Sequence, residues 1–188
     1  MKRKIIILLF LLFPTAVFAQ NFAIKNNLVY DATMTPNLGF EIALSDFSTI
    51  DISGGYNPFT FKNGKSFKHW LIQPEYRMWF CEKFNGGFWG VHLHGSVFRV
   101  SRLKLPFGMF ESLRDNRYEG WLVGGGLSCG YHLMLGKSWG LEGVLGAGYA
   151  YIDYKKYPCP DCGPMKEAAN KHYFGVTKLA ISFVYIIR

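Results

Sequence analysis

From residue 22 onward, apolar and polar residues alternate along the chain in eight stretches. The clearest is Lys68–Phe80, KHWLIQPEYRMWF. There Trp70, Ile72, Pro74, Tyr76, Met78 and Phe80 share one parity, and His69, Gln73, Glu75, Arg77 and Trp79 share the other. Side chains of an extended strand point alternately to opposite faces. The stretch therefore predicts a strand with one apolar, aromatic face and one face carrying a carboxylate, a guanidinium, an amide and an imidazole. The same period predicts strands over Phe22–Asp31, Asn37–Leu44, Thr49–Tyr56, Phe88–Phe98, Tyr118–Leu133, Gly140–Ile152 and Tyr173–Ile187. Glycine blurs the two faces in the last three. Pro74 lacks the N–H that a ladder needs, and a bulge is expected there.

The connections alternate in length. Ser45–Ser48, Cys81–Gly87 and Leu135–Ser138 are short and fall at one end. Ala32–Pro36, Asn57–Phe67, Arg99–Arg117 and Asp153–His172 fall at the other, and three of them are long. Aromatic residues gather near strand ends, with Tyr30, Tyr56, Trp70, Trp121, Tyr149 and Tyr151 towards the long loops. Phe80, Trp89, Tyr131, Trp139 and Tyr185 lie towards the short turns. Strands near the ~9–11 residues of a tilted membrane strand, an even count, unequal loop lengths and aromatic ends together predict an all-β fold. The expected architecture is an eight-stranded antiparallel up-and-down transmembrane β-barrel, with its charged face inward. A soluble lipocalin-like ligand-binding barrel in the periplasm is the alternative, since it has the same alternation with the faces inverted. The end of the chain favours the membrane form: Lys178–Tyr185 resembles the C-terminal signal read by the outer-membrane insertion machinery, with Ala180 where a glycine is usual.

The first nineteen residues carry a different signal. Lys2, Arg3 and Lys4 precede an apolar run, Ile5–Phe13, and the small-residue ending Val17-Phe18-Ala19. This is a signal peptide pattern, too short for the ~20 residues of a spanning helix. Export to the bacterial outer membrane is expected, with a barrel over 20–188. Cleavage after Ala19 takes three positive charges from the formal +8, leaving +5, too little to argue for nucleic acid.

Eight strands close a barrel whose interior its own side chains fill. The predicted inward face holds Lys25, Asp31, Glu41, Asp51, Glu75, Arg77, His92, His94, Glu142 and Lys178. Isolated buried charges are costly, so mixed signs should pair. Glu75, Arg77, His92 and His94 are read as a lumenal polar network that plugs the barrel. His92 and His94 share a face as a metal pair would, but their third ligand, Glu75, has Arg77 as a competing partner. No metal or cofactor is expected. Ser96 shares the face of both histidines, which raises an outer-membrane lipid-modifying enzyme as a further alternative. Same-face neighbours on a strand stand ~7 Å apart, too far for a direct Ser–His contact. A non-enzymatic protein is expected.

In the longest loops, Arg102, Lys104, Phe107, Phe110 and Arg114 mix basic and apolar groups suited to a surface contact. Cys159-Pro-Asp-Cys162 is read as a disulfide, the simplest use of a close pair in an exported chain. Cys81 and Cys129 are expected to be unpaired.

Several short motifs carry a resemblance. Lys25-x-Asn27, Tyr30-Asp31, Thr35-Pro36-Asn37, Gly54-Gly55-Tyr56-Asn57-Pro58, Lys68-His69-Trp70, Gln73-Pro74-Glu75 and Trp79-Phe-Cys81-Glu-Lys-Phe-Asn-Gly86 resemble a family of outer-membrane proteins known as domain of unknown function 3575. Gly90-Val91-His92 and Phe174-Gly175-x-Thr177-Lys178 extend the resemblance over nearly the whole mature chain. It implies an OmpA-like eight-stranded barrel, sometimes near surface-fibre genes, and supplies no functional residues. The expected role is therefore structural or a surface interaction, including an accessory to surface fibres. Its expected partners are outer-membrane lipid and lipopolysaccharide, the barrel-insertion machinery and surface-fibre components, with no nucleic acid.

Overall fold

The computed structural model describes residues 22–60, 66–101, 116–158 and 167–187. Eight strands pair in chain order, each antiparallel to the next, and β1 closes on β8. They are β1 (Phe22–Asn27), β2 (Asn37–Ala43), β3 (Ser48–Asn57), β4 (Ser66–Trp79), β5 (Gly86–Ser101), β6 (Arg117–Met134), β7 (Trp139–Tyr157) and β8 (Glu167–Ile187). The result is the all-β, up-and-down barrel that the alternation predicts. β1 pairs with β8 only over Ser182–Ile187, so the ring is complete at the turn end and the rest of β8 rises beyond it.

Strand one is shorter than its alternation suggests. It stops at Asn27, and Leu28–Ala32 forms a one-turn helix, α1. The Asn27 side chain accepts a bond from the Val29 N–H, the capping role that asparagine performs well at a helix start. Asn37 then ties the turn together, donating to the Asn27 carbonyl and to Asp31 Oδ1. Asp31 thus sits exposed on α1 and does not join the inward face. Local hydrogen bonding overrides the periodic pattern here.

The strands lengthen around the ring, from 6 residues in β1 and 7 in β2 to 19 in β7 and 21 in β8. At the turn end the strands finish together, tied by bonds such as Trp79 N–H to the Phe47 carbonyl and Ile186 N–H to the Ser138 carbonyl. At the loop end β4–β8 stand above β1–β3 as a curved wall.

Register is continuous except between Gly146 and Ala147, where β7 slips against β8. The bulge expected at Pro74 does not form. Pairing with β5 skips Gln73 and Pro74 and resumes at Glu75↔His92 in the same register. A residue without an N–H removes one rung there, and the neighbouring rungs keep their alignment.

The faces divide sharply. Outward lie the side chains of Leu38, Phe40, Ile72, Tyr76, Leu93, Leu127, Leu145 and Ile181, all exposed. Inward lie Glu41, Thr49, Asp51, Glu75, Arg77, His92 and Glu142, all nearly inaccessible. The apolar core is small and confined to the turn end, where Trp79, Phe88, Val144, Val184 and Ile186 pack around Phe84. Phe84 has a left-handed backbone (φ 60), which is uncommon for a bulky residue. Its ring lies 6.1 Å from that of Trp79, across the base of the barrel.

Candidate functional site

The lumen is built in three storeys. Lowest is the aromatic floor just described. The Trp79 indole N–H donates to Thr49 Oγ1 at 3.0 Å, and Thr49 in turn donates to Glu41, so the floor is hydrogen-bonded to the storey above. The Arg77 guanidinium stacks over Phe88, 4.5 Å from the ring centroid.

The middle storey is an ion-pair network centred on Arg77. Its Nε meets Glu75 Oε2 at 2.5 Å and its Nη1 meets Glu41 Oε2 at 3.0 Å. The same Nη1 bonds both oxygens of Glu142, at 3.0 and 3.1 Å, while Nη2 lies 3.5 Å from Asp51 Oδ2. One planar fork thus reaches four carboxylates, a geometry that a lysine cannot reproduce. Lys25 joins Glu41, Glu142 (2.8 Å) and Asp51 (3.6 Å). Lys178 joins Glu75 (3.0 Å) and Asp51 (3.7 Å). Ser128 donates to Glu75 from β6, and the His132 ring lies 3.6 Å from Glu142. Six strands supply the charges of this ring.

Alternation explains the convergence. Each of these residues occupies the inward parity of its strand, and the register aligns Glu41, Asp51 and Glu75 across β2–β3–β4. Beside them remains a void of about 30 Å³, which is room for about one water.

Of the four residues read from the sequence as the polar network, Glu75 and Arg77 lie at its centre. The two imidazoles stand outside the ion pairs. His92 faces Glu75 in register, yet its Nε2 pairs with Thr177 Oγ1 at 2.9 Å. His94 is one step higher, with its ring centroid 5.8 Å from that of His92. Ser96 Oγ donates to the Trp70 carbonyl at 2.6 Å, so the hydroxyl is engaged by backbone. Among the described residues, no group of three or more His, Cys, Asp or Glu is arranged to hold a metal ion. Sequence reasoning places Ser128 on the inward face of β6 without joining it to the network, and misses His132, which shares that parity.

The top storey is a blind cavity of about 370 Å³ opening towards the loop end. Its walls come from the tall strands β4–β8 and are almost wholly apolar, with Leu71, Phe98, Leu122 and Ile152 among them. Gln73, His94 and Thr177 lie nearest the network. This space was not legible as a cavity in the sequence, because its lining residues are spread over five strands.

Arg102, Lys104, Phe107, Phe110 and Arg114, proposed as a contact loop, lie outside the described residues, as do Cys159 and Cys162. Cys81 and Cys129 are free and exposed.

No curated protein and no solved structure matches this chain. One family model does, described as "Protein of unknown function (DUF3575)", over residues 5–187. With nearly its whole length matched by that model, the chain belongs to the DUF3575 family.

Proposed function

We propose that the protein is a non-enzymatic β-barrel of the bacterial outer membrane, blocked to solute by its own charged network, with a structural or surface-interaction role. The observation that carries this reading is the inversion of the two faces. Arg77, Glu41, Glu75 and Glu142 are 0–2% exposed inside the ring, whereas Leu127, Leu93 and Leu145 are 64%, 62% and 53% exposed outside it. In water that arrangement leaves an apolar belt with nothing to cover it. In lipid it is the favourable one.

Several features support the same reading. Aromatic pairs sit near both ends of the belt: Trp121 with Tyr151 (centroids 5.7 Å apart) near the loops, and Trp139 with Tyr185 (4.8 Å) near the turns. Amphipathic rings favour the headgroup level. The amino-terminal signal pattern supports export, and the terminal Lys178–Tyr185 pattern supports delivery to the insertion machinery. The Ser–His arrangement considered from the sequence does not form, because Ser96 Oγ donates to the Trp70 carbonyl and His92 Nε2 pairs with Thr177 Oγ1 instead. Surface-fibre components, outer-membrane lipid and lipopolysaccharide are the partners suited to a barrel whose upper wall carries Lys68, Arg99, Lys155 and Lys156.

Fractionation tests the proposal. The full chain is expected in the outer-membrane fraction, soluble only with detergent, and migrating differently on a gel before and after boiling. Buffer-soluble protein with no heat-dependent shift would overturn it in favour of a soluble barrel.

A further inference from the structure

We infer that the upper lumen is a binding site for a neutral, largely hydrocarbon molecule with one hydrogen-bonding head group, an unbranched long-chain alcohol being the simplest example. The cavity has the dimensions for it. Its volume of about 370 Å³ lies within the ~300–1,000 Å³ of small-molecule sites. Along β4 it runs from Phe67 to Gln73, six residue steps and hence ~20 Å of strand. The space is therefore elongated and blind at its base.

Charge selects the ligand class. Among the described residues, none of those lining the cavity is Asp, Glu, Lys or Arg. Beneath it, Lys25, Arg77 and Lys178 face Glu41, Asp51, Glu75 and Glu142, so three cations stand against four carboxylates, and with the His132 imidazole beside Glu142 neutral one formal negative charge remains. An anionic head group entering from above would meet apolar walls and then a net negative floor. A neutral one meets no such penalty.

The single head group follows from the polar atoms. Gln73 Nε2 already donates to the Thr177 carbonyl at 3.0 Å, Thr177 Oγ1 is paired with His92, and Ser96 Oγ with Trp70. His94 differs from these. It is 5% exposed, lines the cavity, and its buried Nδ1 has no hydrogen-bond partner among the described residues. A buried ring nitrogen left without a partner is costly, and rotation of the ring about its Cβ–Cγ bond would turn Nδ1 to the cavity, where a ligand hydroxyl serves it in either tautomer. Below His94 the path ends at the ion-pair network, so the molecule enters and leaves by the loop end.

The test uses the full mature barrel in lipid nanodiscs, with methyl resonances of Leu71, Leu122 and Ile152 reporting the lumen and those of Leu93 and Leu127 reporting the lipid face. Dodecan-1-ol is expected to shift the lumenal methyls with saturation, while the lipid-facing pair drifts without it. Dodecanoate is expected to bind at least about tenfold more weakly. Ala150→Trp, which fills the cavity from β7, should weaken dodecanol by about tenfold or more, whereas Val123→Trp on the outer face should leave it unchanged. His94→Leu should weaken it about fivefold. A heat-dependent gel shift confirms that each variant is folded. Equal, unsaturable responses from both sets of methyls would overturn the proposal, as would undiminished binding to folded Ala150→Trp or equal affinity for dodecanoate. Contacts between the lumenal methyls and residues 102–115, with no response to dodecanol, would overturn it too, because the chain itself would then occupy the site.

Discussion

At the scale of single residues, Arg77 decides most. A guanidinium has five N–H donors in a plane, and here they are divided among Glu41, Asp51, Glu75 and Glu142. Removing it leaves four buried carboxylates facing only Lys25 and Lys178. Arg77→Met is therefore expected to destabilise the barrel by about 3–5 kcal/mol, the usual cost of breaking a buried charge cluster from one side. Urea unfolding in lipid vesicles, followed by tryptophan fluorescence, measures the loss. Arg77→Lys should fall between the two, since it keeps the charge and loses the fork. An unchanged midpoint for Arg77→Met would mean that the network contributes nothing to stability. The sequence shows that Arg77 and Glu75 share one face, because alternation dictates it. It does not show that His92 turns to Thr177, since that choice depends on a strand 85 residues away.

At the scale of elements, β6 and β7 depend on facing glycines. Gly126 and Gly148 are direct partners across the ladder. A Cβ built on Gly126 would stand 2.3 Å from the Ala147 carbonyl oxygen, and one on Gly148 would stand 2.2 Å from that of Gly125. Backbone cannot yield as a flexible side chain does, so the two strands approach in a way that no other residue allows. Gly126→Ala is expected to cost about 1–3 kcal/mol and to lower the folded fraction on a gel-shift assay. Gly143→Ala on the same strand pair, where a Cβ meets nothing within 4 Å, is the matched control and should refold as the wild type does. Equal refolding of both variants would show that the strands can part at no cost. The glycines that blur the alternation of strands six to eight are thus the residues that let this wall curve. Strand one shows the reverse case, a legible alternation that a local cap at Asn27 cuts short.

At the scale of the whole molecule, the unequal strands create two regions. A membrane strand needs ~9–11 residues, so β5–β8, with 16–21, extend well beyond that length at the loop end. The charged network sits where all eight strands surround it, and the apolar cavity sits where only the tall ones do. The proposed membrane setting rests on the outward belt. Leu127 lies mid-strand in β6, opposite Val91 and Ala147. Leu127→Arg is expected to destabilise the protein in vesicles by about 2–4 kcal/mol, the cost of a cation on the lipid face near the midplane. In a soluble barrel the same change at an exposed site would alter stability by about half a kcal/mol or less. Equilibrium unfolding of this one variant therefore bears directly on the membrane reading.

The sequence by itself determines the number of strands, their direction and, but for the end of strand one, which residues share a face. Period two is local, and a side chain's face follows from its position alone. Turn lengths add the antiparallel order, and the pairing of opposite charges across the lumen follows from the cost of burying them singly. Only the tertiary structure decides which charges meet, because contacts such as Lys25 with Glu142 join the two ends of the chain across a closed ring. The cavity belongs to that second class. Its walls are apolar residues at inward positions, such as Leu71, Leu122 and Ile152, each unremarkable in its own strand. They form a site only once closure brings five strands around the same space, above a network that no single strand encodes.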